Sequence, residues 1–77
     1  MARLLHPIKT RVYRKFLKEL KWDFKRIKGD HEIWYKKDVE KEVVFITNDK
    51  EVKPFIIQQN NKTLGISDKE FLKLIKK

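Results

Sequence analysis

The chain has 77 residues, a length that suits one compact domain with a small core. It has no cysteine, which excludes disulfides and zinc–thiolate sites, and no run of 18 apolar residues that could cross a membrane. Its 20 Lys and Arg exceed its 11 Asp and Glu, so the formal net charge is +9. We therefore predict a single domain over residues 1–77, with residues 1–9 as a lead-in segment and no membrane partner.

The positive charge is concentrated in one part of the chain. Residues 9–28 hold nine basic and two acidic side chains, whereas residues 29–77 hold ten basic and nine acidic ones. Such a field on a small body favours a polyanion, so nucleic acid or a strongly acidic protein is the expected partner. The alternative is a solvated, lysine-rich surface without a particular ligand.

The first predicted element is a helix that Thr10 caps with its side chain. Its apolar residues recur at the spacing of one helical stripe, namely Val12, Tyr13, Phe16, Leu17 and Leu20. The basic residues fall largely outside that stripe, namely Arg11, Arg14, Lys15, Lys18 and Lys21. This helix is therefore expected to bury one side and to present a basic side.

Three strands are predicted next. Trp22 and Phe24 alternate with polar residues, as in a half-buried strand. The turn "KGD" contains Gly29, which can adopt a positive φ, and it leads into a second strand, "HEIWYKK". The third strand, "VVFIT", is apolar on both faces, which predicts that it is the best covered of the three.

The rest of the chain is predicted to be helical after a loop, "NDKEVKP". Pro54 suits the first turn of a second helix, and Gly65 suits its end. Ser67 and Glu70 have the spacing of a capping box that opens a third helix. The predicted fold is α+β in the order α-β-β-β-α-α, with a three-stranded antiparallel sheet and the helices on one face. The other sheet face, or its edge, is left for a ligand.

His31 is the candidate chemical group. Strand alternation places His31, Ile33 and Tyr35 on one face, and Asp30, Glu32 and Trp34 on the other. The nearest carboxylates should then point away from the imidazole, which argues against a metal site. Acid–base chemistry or phosphate binding remains, amid the nearby cations of Arg26, Lys28, Lys36 and Lys37. The alternative is a half-exposed strand histidine without a role.

Three segments, in order, carry a resemblance to a known family: "KGDHEIW", "KEVKP" and "LGIS". Over about residues 10–74, the chain resembles the HicA (YcfA-like) toxins of HicAB toxin–antitoxin modules. The resemblance implies a fold like that of the double-stranded RNA-binding domain. It also implies a cytoplasmic, metal-independent mRNA interferase without a cofactor, which a HicB-like antitoxin would cover. As a free protein it would be a monomer or a small oligomer.

The resemblance also implies roles for particular residues. His31 would be the catalytic general acid or base, and Gly29 would shape the turn that presents it. Among the basic side chains, we expect RNA contacts from Arg26, Lys28, Lys36 and Lys37, and from Arg11, Arg14, Lys15 and Lys18 on the first helix. A second proton carrier is not assigned; Lys28, Tyr35, water or the RNA itself could serve.

Three positions depart from the family pattern, and two other functions stay open. Asp30 stands where serine is commoner, and Asn60 and Asn61 stand where the second helix is usually aliphatic, which predicts a short, polar-faced or loosely docked helix. One alternative function is a non-catalytic RNA-binding module that stacks bases on Trp22, Trp34 or Tyr35. For Trp22 core packing is preferred, and Trp34 is left open. The other is an interaction protein for an acidic partner.

Overall fold

The computed structural model describes residues 5–76, which form five strands and three helices. In chain order these are β1 (Ile8–Lys9), α1 (Thr10–Glu19), β2 (Asp23–Lys28), β3 (His31–Tyr35), β4 (Val43–Ile46), β5 (Glu51–Val52), α2 (Pro54–Leu64) and α3 (Asp68–Ile75). Strands β2, β3 and β4 form an antiparallel sheet in that order, with β3 at its centre. The predicted α+β fold is confirmed.

A two-stranded ribbon that the sequence did not reveal joins β1 to β5. Ile8 lies opposite Val52, and Lys9 lies opposite Glu51. The predicted loop before Pro54 is therefore a strand at Glu51 and Val52, and the last two residues of the predicted lead-in segment pair with it. Residues 1–4 of the lead-in lie outside the described part of the chain. Two-residue strands are too short to show the alternation by which a strand is recognised.

One apolar core joins the sheet to all three helices. Trp34, Val43 and Phe45 of the sheet meet Tyr13 of α1, and the same cluster includes Ile57 of α2 and Phe71 of α3. Tyr13 and Phe45 pack edge to face with ring centroids 5.2 Å apart, a favoured geometry for aromatic pairs. The helices therefore cover one sheet face, as predicted. Trp22 belongs to this core as well, so both tryptophans are buried and neither offers a stacking surface.

The start of α1 differs from the prediction. Thr10 is the first helical residue and not its cap, since Lys9 occupies the capping position without a side-chain hydrogen bond. The Thr10 hydroxyl instead donates to the Asp49 carbonyl at 2.6 Å, and the Thr10 amide donates to the Lys50 carbonyl at 2.8 Å. The helix N-terminus is thus satisfied by the segment before β5, because β1–β5 pairing brings that segment beside it.

Strand β2 is exposed along its whole length, so the prediction of a half-buried strand is wrong. It is an edge strand, and the register shifts between Phe24 and Arg26 to leave Lys25 as a bulge. Phe24 packs edge to face on Trp34 with centroids 6.1 Å apart, yet its side chain remains 49% exposed. Strand β4 has no exposed residue, whereas both end residues of the central strand β3 are exposed, in agreement with the prediction that the third strand of the sheet is the best covered.

The second helix is docked through its asparagines. Pro54 opens it and Gly65 ends it with φ +75°, as predicted. The Asn60 amide spans the free edge of β4: its nitrogen donates to the Val44 carbonyl at 3.1 Å, and its oxygen accepts from the Val44 amide at 3.4 Å. Asn61 donates to the Asp68 carboxylate at 3.0 Å. Of the two residues that suggested loose docking, Asn60 therefore holds the helix against the sheet, and Asn61 ties it to the start of α3.

The third helix begins with the predicted capping box. The Glu70 amide donates to the Ser67 hydroxyl, and the Ser67 amide donates to the Glu70 carboxylate, both at 3.1 Å. These reciprocal bonds satisfy two donors that the first turn would otherwise leave free. Phe71 is then buried against Phe16, with centroids 5.0 Å apart.

Candidate functional site

A two-residue hairpin turn presents the candidate histidine. Lys28 at the end of β2 lies opposite His31 at the start of β3, and Gly29 and Asp30 connect them. Gly29 has φ +63°, whereas Asp30 does not have a positive φ, the combination of a type II′ turn. The Thr47 amide donates to the Asp30 carbonyl at 2.8 Å, which ties the turn to the end of β4.

His31 is exposed, and it has a carboxylate partner. Its side chain is 53% exposed, and its Nδ1 lies 3.2 Å from Oδ1 of Asp30. The prediction that the nearest carboxylates point away is wrong for Asp30, because strand alternation does not extend into the turn. Nδ1 is thus the ring nitrogen that faces the carboxylate of Asp30.

The sheet face that the helices leave uncovered places two predicted cations beside His31. Cross-strand register sets Lys28 next to His31, and Arg26 next to Ile33 two pairs further on. Residues opposite each other in an antiparallel pair share a face, so these groups form one surface, which we name the open face. Tyr35, 41% exposed, lies on the same face two residues beyond Ile33.

The opposite side of β3 carries a buried ionic network. Glu32 is 3% exposed and accepts four donors: Nε and Nη2 of Arg14, Nε1 of Trp34 and the hydroxyl of Thr47. The shortest bonds are 2.7 Å, from Arg14 and from Trp34. Arg14 also donates to the Thr47 carbonyl at 3.1 Å. The network fixes α1 against β3 directly behind the histidine turn.

These hydrogen bonds decide the protonation state of Glu32. Burial by itself would raise the pKa of its carboxyl, but the bonds from Arg14, Trp34 and Thr47 outweigh burial and hold that pKa below 4.5. The hydrogen bond to Glu32 raises the pKa of Arg14. On the sheet surface, the hydrogen bond from Lys25 lowers the pKa of Glu42.

The predicted RNA-binding residues are distributed over several surfaces. Register brings Arg26, Lys28 and Gly29 together with His31. Arg14 is engaged by Glu32, and Lys36 donates to the Leu20 carbonyl at 3.0 Å at the end of α1. The other four predicted cations are exposed, namely Arg11, Lys15, Lys18 and Lys37. Their contacts with RNA remain predictions.

The sequence reasoning missed two groups of residues. The Glu32 network could have been found, since alternation already placed Glu32 on the face of Trp34, and a carboxylate on a buried face requires donors. The second group, Lys9, Lys50 and Lys53, lines a cleft that exists only because β1 pairs with β5. No signal in the sequence indicated that pairing.

Two further observations concern ligands. Within residues 5–76, no three His, Asp or Glu side chains gather closely enough to hold a metal ion. Over the same residues, no helix has the length and apolar character needed to traverse a bilayer.

The fold and the site together define the class of protein: it is a small basic α+β domain that displays a histidine at a hairpin turn. The family model of the HicA toxin of bacterial toxin–antitoxin systems matches residues 11–66. That match covers most of the chain, including the turn and the sheet, so the chain belongs to the HicA toxin family. Searches of the curated proteins and of the solved structures gave no significant match.

Proposed function

We propose that this protein is an mRNA interferase, the toxin of a type II toxin–antitoxin system, and that His31 is its catalytic residue. Membership in the HicA family supports a nuclease role in general terms. The observation that carries the assignment to His31 is its position: half exposed, at the end of a tight turn, with Lys28 opposite and Arg26 on the same open face.

The proposed reaction is transfer of the phosphodiester to the neighbouring 2′-hydroxyl of the RNA. The bond from the 2′-oxygen to phosphorus forms, and the bond from phosphorus to the 5′-oxygen breaks. The products are a 2′,3′-cyclic phosphate and a free 5′-hydroxyl. His31 takes the proton from the attacking hydroxyl or gives one to the leaving oxygen, since an imidazole titrates near neutral pH. The RNA supplies its own nucleophile, so the proposed reaction needs neither a metal ion nor a cofactor.

Cations beside the reacting phosphate have a definite task in this mechanism. The transition state carries more negative charge on its phosphoryl oxygens than the ground state does. Lys28, the cross-strand partner of His31, is the nearest cation by register, and Arg26 lies two pairs further along the open face. We assign them to bind the backbone and to stabilise that charge.

The proposed partner is an acidic antitoxin of the HicB type. A protein that blocks the open face has to complement the charges of Arg26 and Lys28, just as RNA does. We propose that the activity is cytoplasmic, since that is where the proposed mRNA substrate would be met.

Induced expression of the chain in bacteria tests this function. We expect the wild type to arrest growth and to deplete mRNA, and His31→Ala to do neither. His6→Ala is the matched control, because His6 is exposed and bonds only the adjacent Pro7 carbonyl among the described residues. Equal toxicity of wild type and His31→Ala would exclude the catalytic role of His31.

A non-catalytic RNA-binding module is the second candidate. The exposed Tyr35 on the open face favours it, since an aromatic ring beside cations can stack a base. In this case, purified protein would bind RNA in EDTA and leave it intact.

A further inference from the structure

A cleft with an excess of positive charge lies beside the first turn of α1, where the β1–β5 ribbon packs against the helix. Its volume is about 670 Å³. It is lined by five basic residues, Lys9, Arg11, Arg14, Lys50 and Lys53, together with Thr10, Asp49 and Glu51. Three of these cations, Lys9, Lys50 and Lys53, were not among the predicted RNA-binding residues.

Four of the cations in this cleft have no acidic partner within the described part of the chain. Over residues 5–76 the ion pairs within 4.0 Å are Arg14–Glu32, Lys25–Glu42 and His31–Asp30. Only Arg14 of the cleft lining is therefore paired. The helix N-terminus is not proposed as the anion-binding group, because Thr10 is already bonded to the Asp49 and Lys50 carbonyls. An anion in this cleft would therefore meet four unpaired cations, in excess over the carboxylates of Asp49 and Glu51.

The cleft is connected to the histidine turn by two hydrogen bonds. Arg14, which lines the cleft, donates to the Thr47 carbonyl at 3.1 Å. The Thr47 amide in turn donates to the Asp30 carbonyl at 2.8 Å, next to His31. The cleft lining and the turn are thus both hydrogen-bonded to Thr47.

The lining determines which part of a nucleic acid fits. Its described residues include no aromatic side chain that could stack a base, and its cations are mostly flexible lysines. Lysine binds phosphate as a point charge and does not read base edges. We infer that this cleft binds the sugar–phosphate backbone of RNA outside the proposed cleavage site, without regard to sequence. This inference rests on the proposed function and adds a second binding site to it.

Binding is measured with the full chain carrying His31→Ala, so that the RNA stays intact. Fluorescence anisotropy with an end-labelled single-stranded RNA in EDTA, at several salt concentrations, gives both the affinity and its salt dependence. The test variant is Lys50→Ala/Lys53→Ala. The control is Lys69→Ala/Lys73→Ala, which removes the same charge from exposed positions of α3 outside the cleft.

We expect the test variant to bind RNA roughly tenfold more weakly than the parent, and the control to change affinity by less than about twofold. The slope of log K against log salt should fall by about 0.7 for each phosphate that the variant no longer neutralises. Equal affinities and slopes for the two double variants would overturn the inference.

Cleavage assays in parallel separate this inference from the proposed function. If the wild type cleaves RNA while Lys50→Ala/Lys53→Ala binds as tightly as the control, the cleft is excluded and the nuclease stands. If that double variant loses affinity while the wild type leaves RNA intact in every assay, the cleft stands and the nuclease is excluded.

Discussion

The carboxylate of Asp30 lies 3.2 Å from Nδ1 of His31, the next residue in the chain, at the point where the hairpin turn enters β3. Both side chains are more than half exposed, so solvent weakens their attraction. The contact sets one ring nitrogen against the carboxylate. We propose that Asp30 positions the ring of His31 in this way.

Replacing Asp30 tests that positioning role. Asp30→Asn keeps the size of the side chain and removes its charge, and we expect single-turnover RNA cleavage to slow by about fivefold or less, the limit for an exposed ion pair. Asp30→Glu, which keeps a carboxylate at this position, should retain more of the rate than Asp30→Asn. A single-turnover cleavage rate of Asp30→Asn equal to that of the wild type would contradict the positioning role of Asp30.

Gly29 is required for its backbone conformation and not for space. Its φ is +63°, and a Cβ at this position would meet nothing within 4 Å. Gly29→Ala should therefore lower the free energy of unfolding by roughly 1–2 kcal/mol, from the left-handed backbone alone. Gly29→Asn should lower it less, because asparagine tolerates that region. Urea denaturation measures both; equal losses for Ala and Asn would argue against this reason.

The buried carboxylate of Glu32 should make stability depend on acid. Its pKa is lowered in the folded chain, so the stabilisation is present above the unfolded value of 4.5 and is lost as pH falls below it. Urea denaturation from neutral pH downwards should show this loss, and Glu32→Gln should flatten the acid dependence. Glu40→Gln, at an exposed position, is the control and should leave the acid dependence as it is in the wild type.

The same variant reports the strength of the network at neutral pH. Glu32→Gln should destabilise the protein by about 2–3 kcal/mol, less than a fully buried pair, because the Arg14 side chain is 36% exposed. A loss no greater than that of Glu40→Gln would show that the network contributes nothing measurable to stability.

Asn60 should be a strong stability determinant despite its low helix propensity. Asn60→Ala removes both bonds to the Val44 backbone and leaves a buried strand edge without partners, for a loss of about 1–3 kcal/mol. The exposed neighbour Gln59 is the control, and Gln59→Ala should stay within about 0.5 kcal/mol of the wild type. Chemical denaturation of both variants measures the difference, and equal stabilities would refute it.

The parts of the fold that sequence predicts well are those with local signals. Three such signals each depend on residues only a few positions apart, and all three are confirmed. They are the capping box at Ser67, the glycine end of α2 and the turn at Gly29. The faces of β3 followed from alternation alone, and the packing of Trp34 confirms them. The position of His31 at the start of a strand followed from the same signals.

The parts that sequence did not predict depend on distant partners. Thr10 looked like a cap, but its hydroxyl bonds the Asp49 carbonyl, which lies 39 residues further along the chain. Asn60 looked unfavourable inside a helix, because a helix-propensity scale does not show that its side chain bonds the free edge of β4. The roles of Arg26 and Lys28 in binding RNA stay predictions, since exposure and register do not identify a ligand.

The most direct measurement is cleavage of a defined single-stranded RNA by purified wild-type protein and by His31→Ala, both in EDTA. Circular dichroism and urea denaturation first establish that the variant is folded, which we expect because His31 lies outside the apolar core. We predict that the wild type yields fragments ending in 2′,3′-cyclic phosphate and that His31→Ala yields none above background. Cleavage by folded His31→Ala at the wild-type rate would contradict the central role of this histidine.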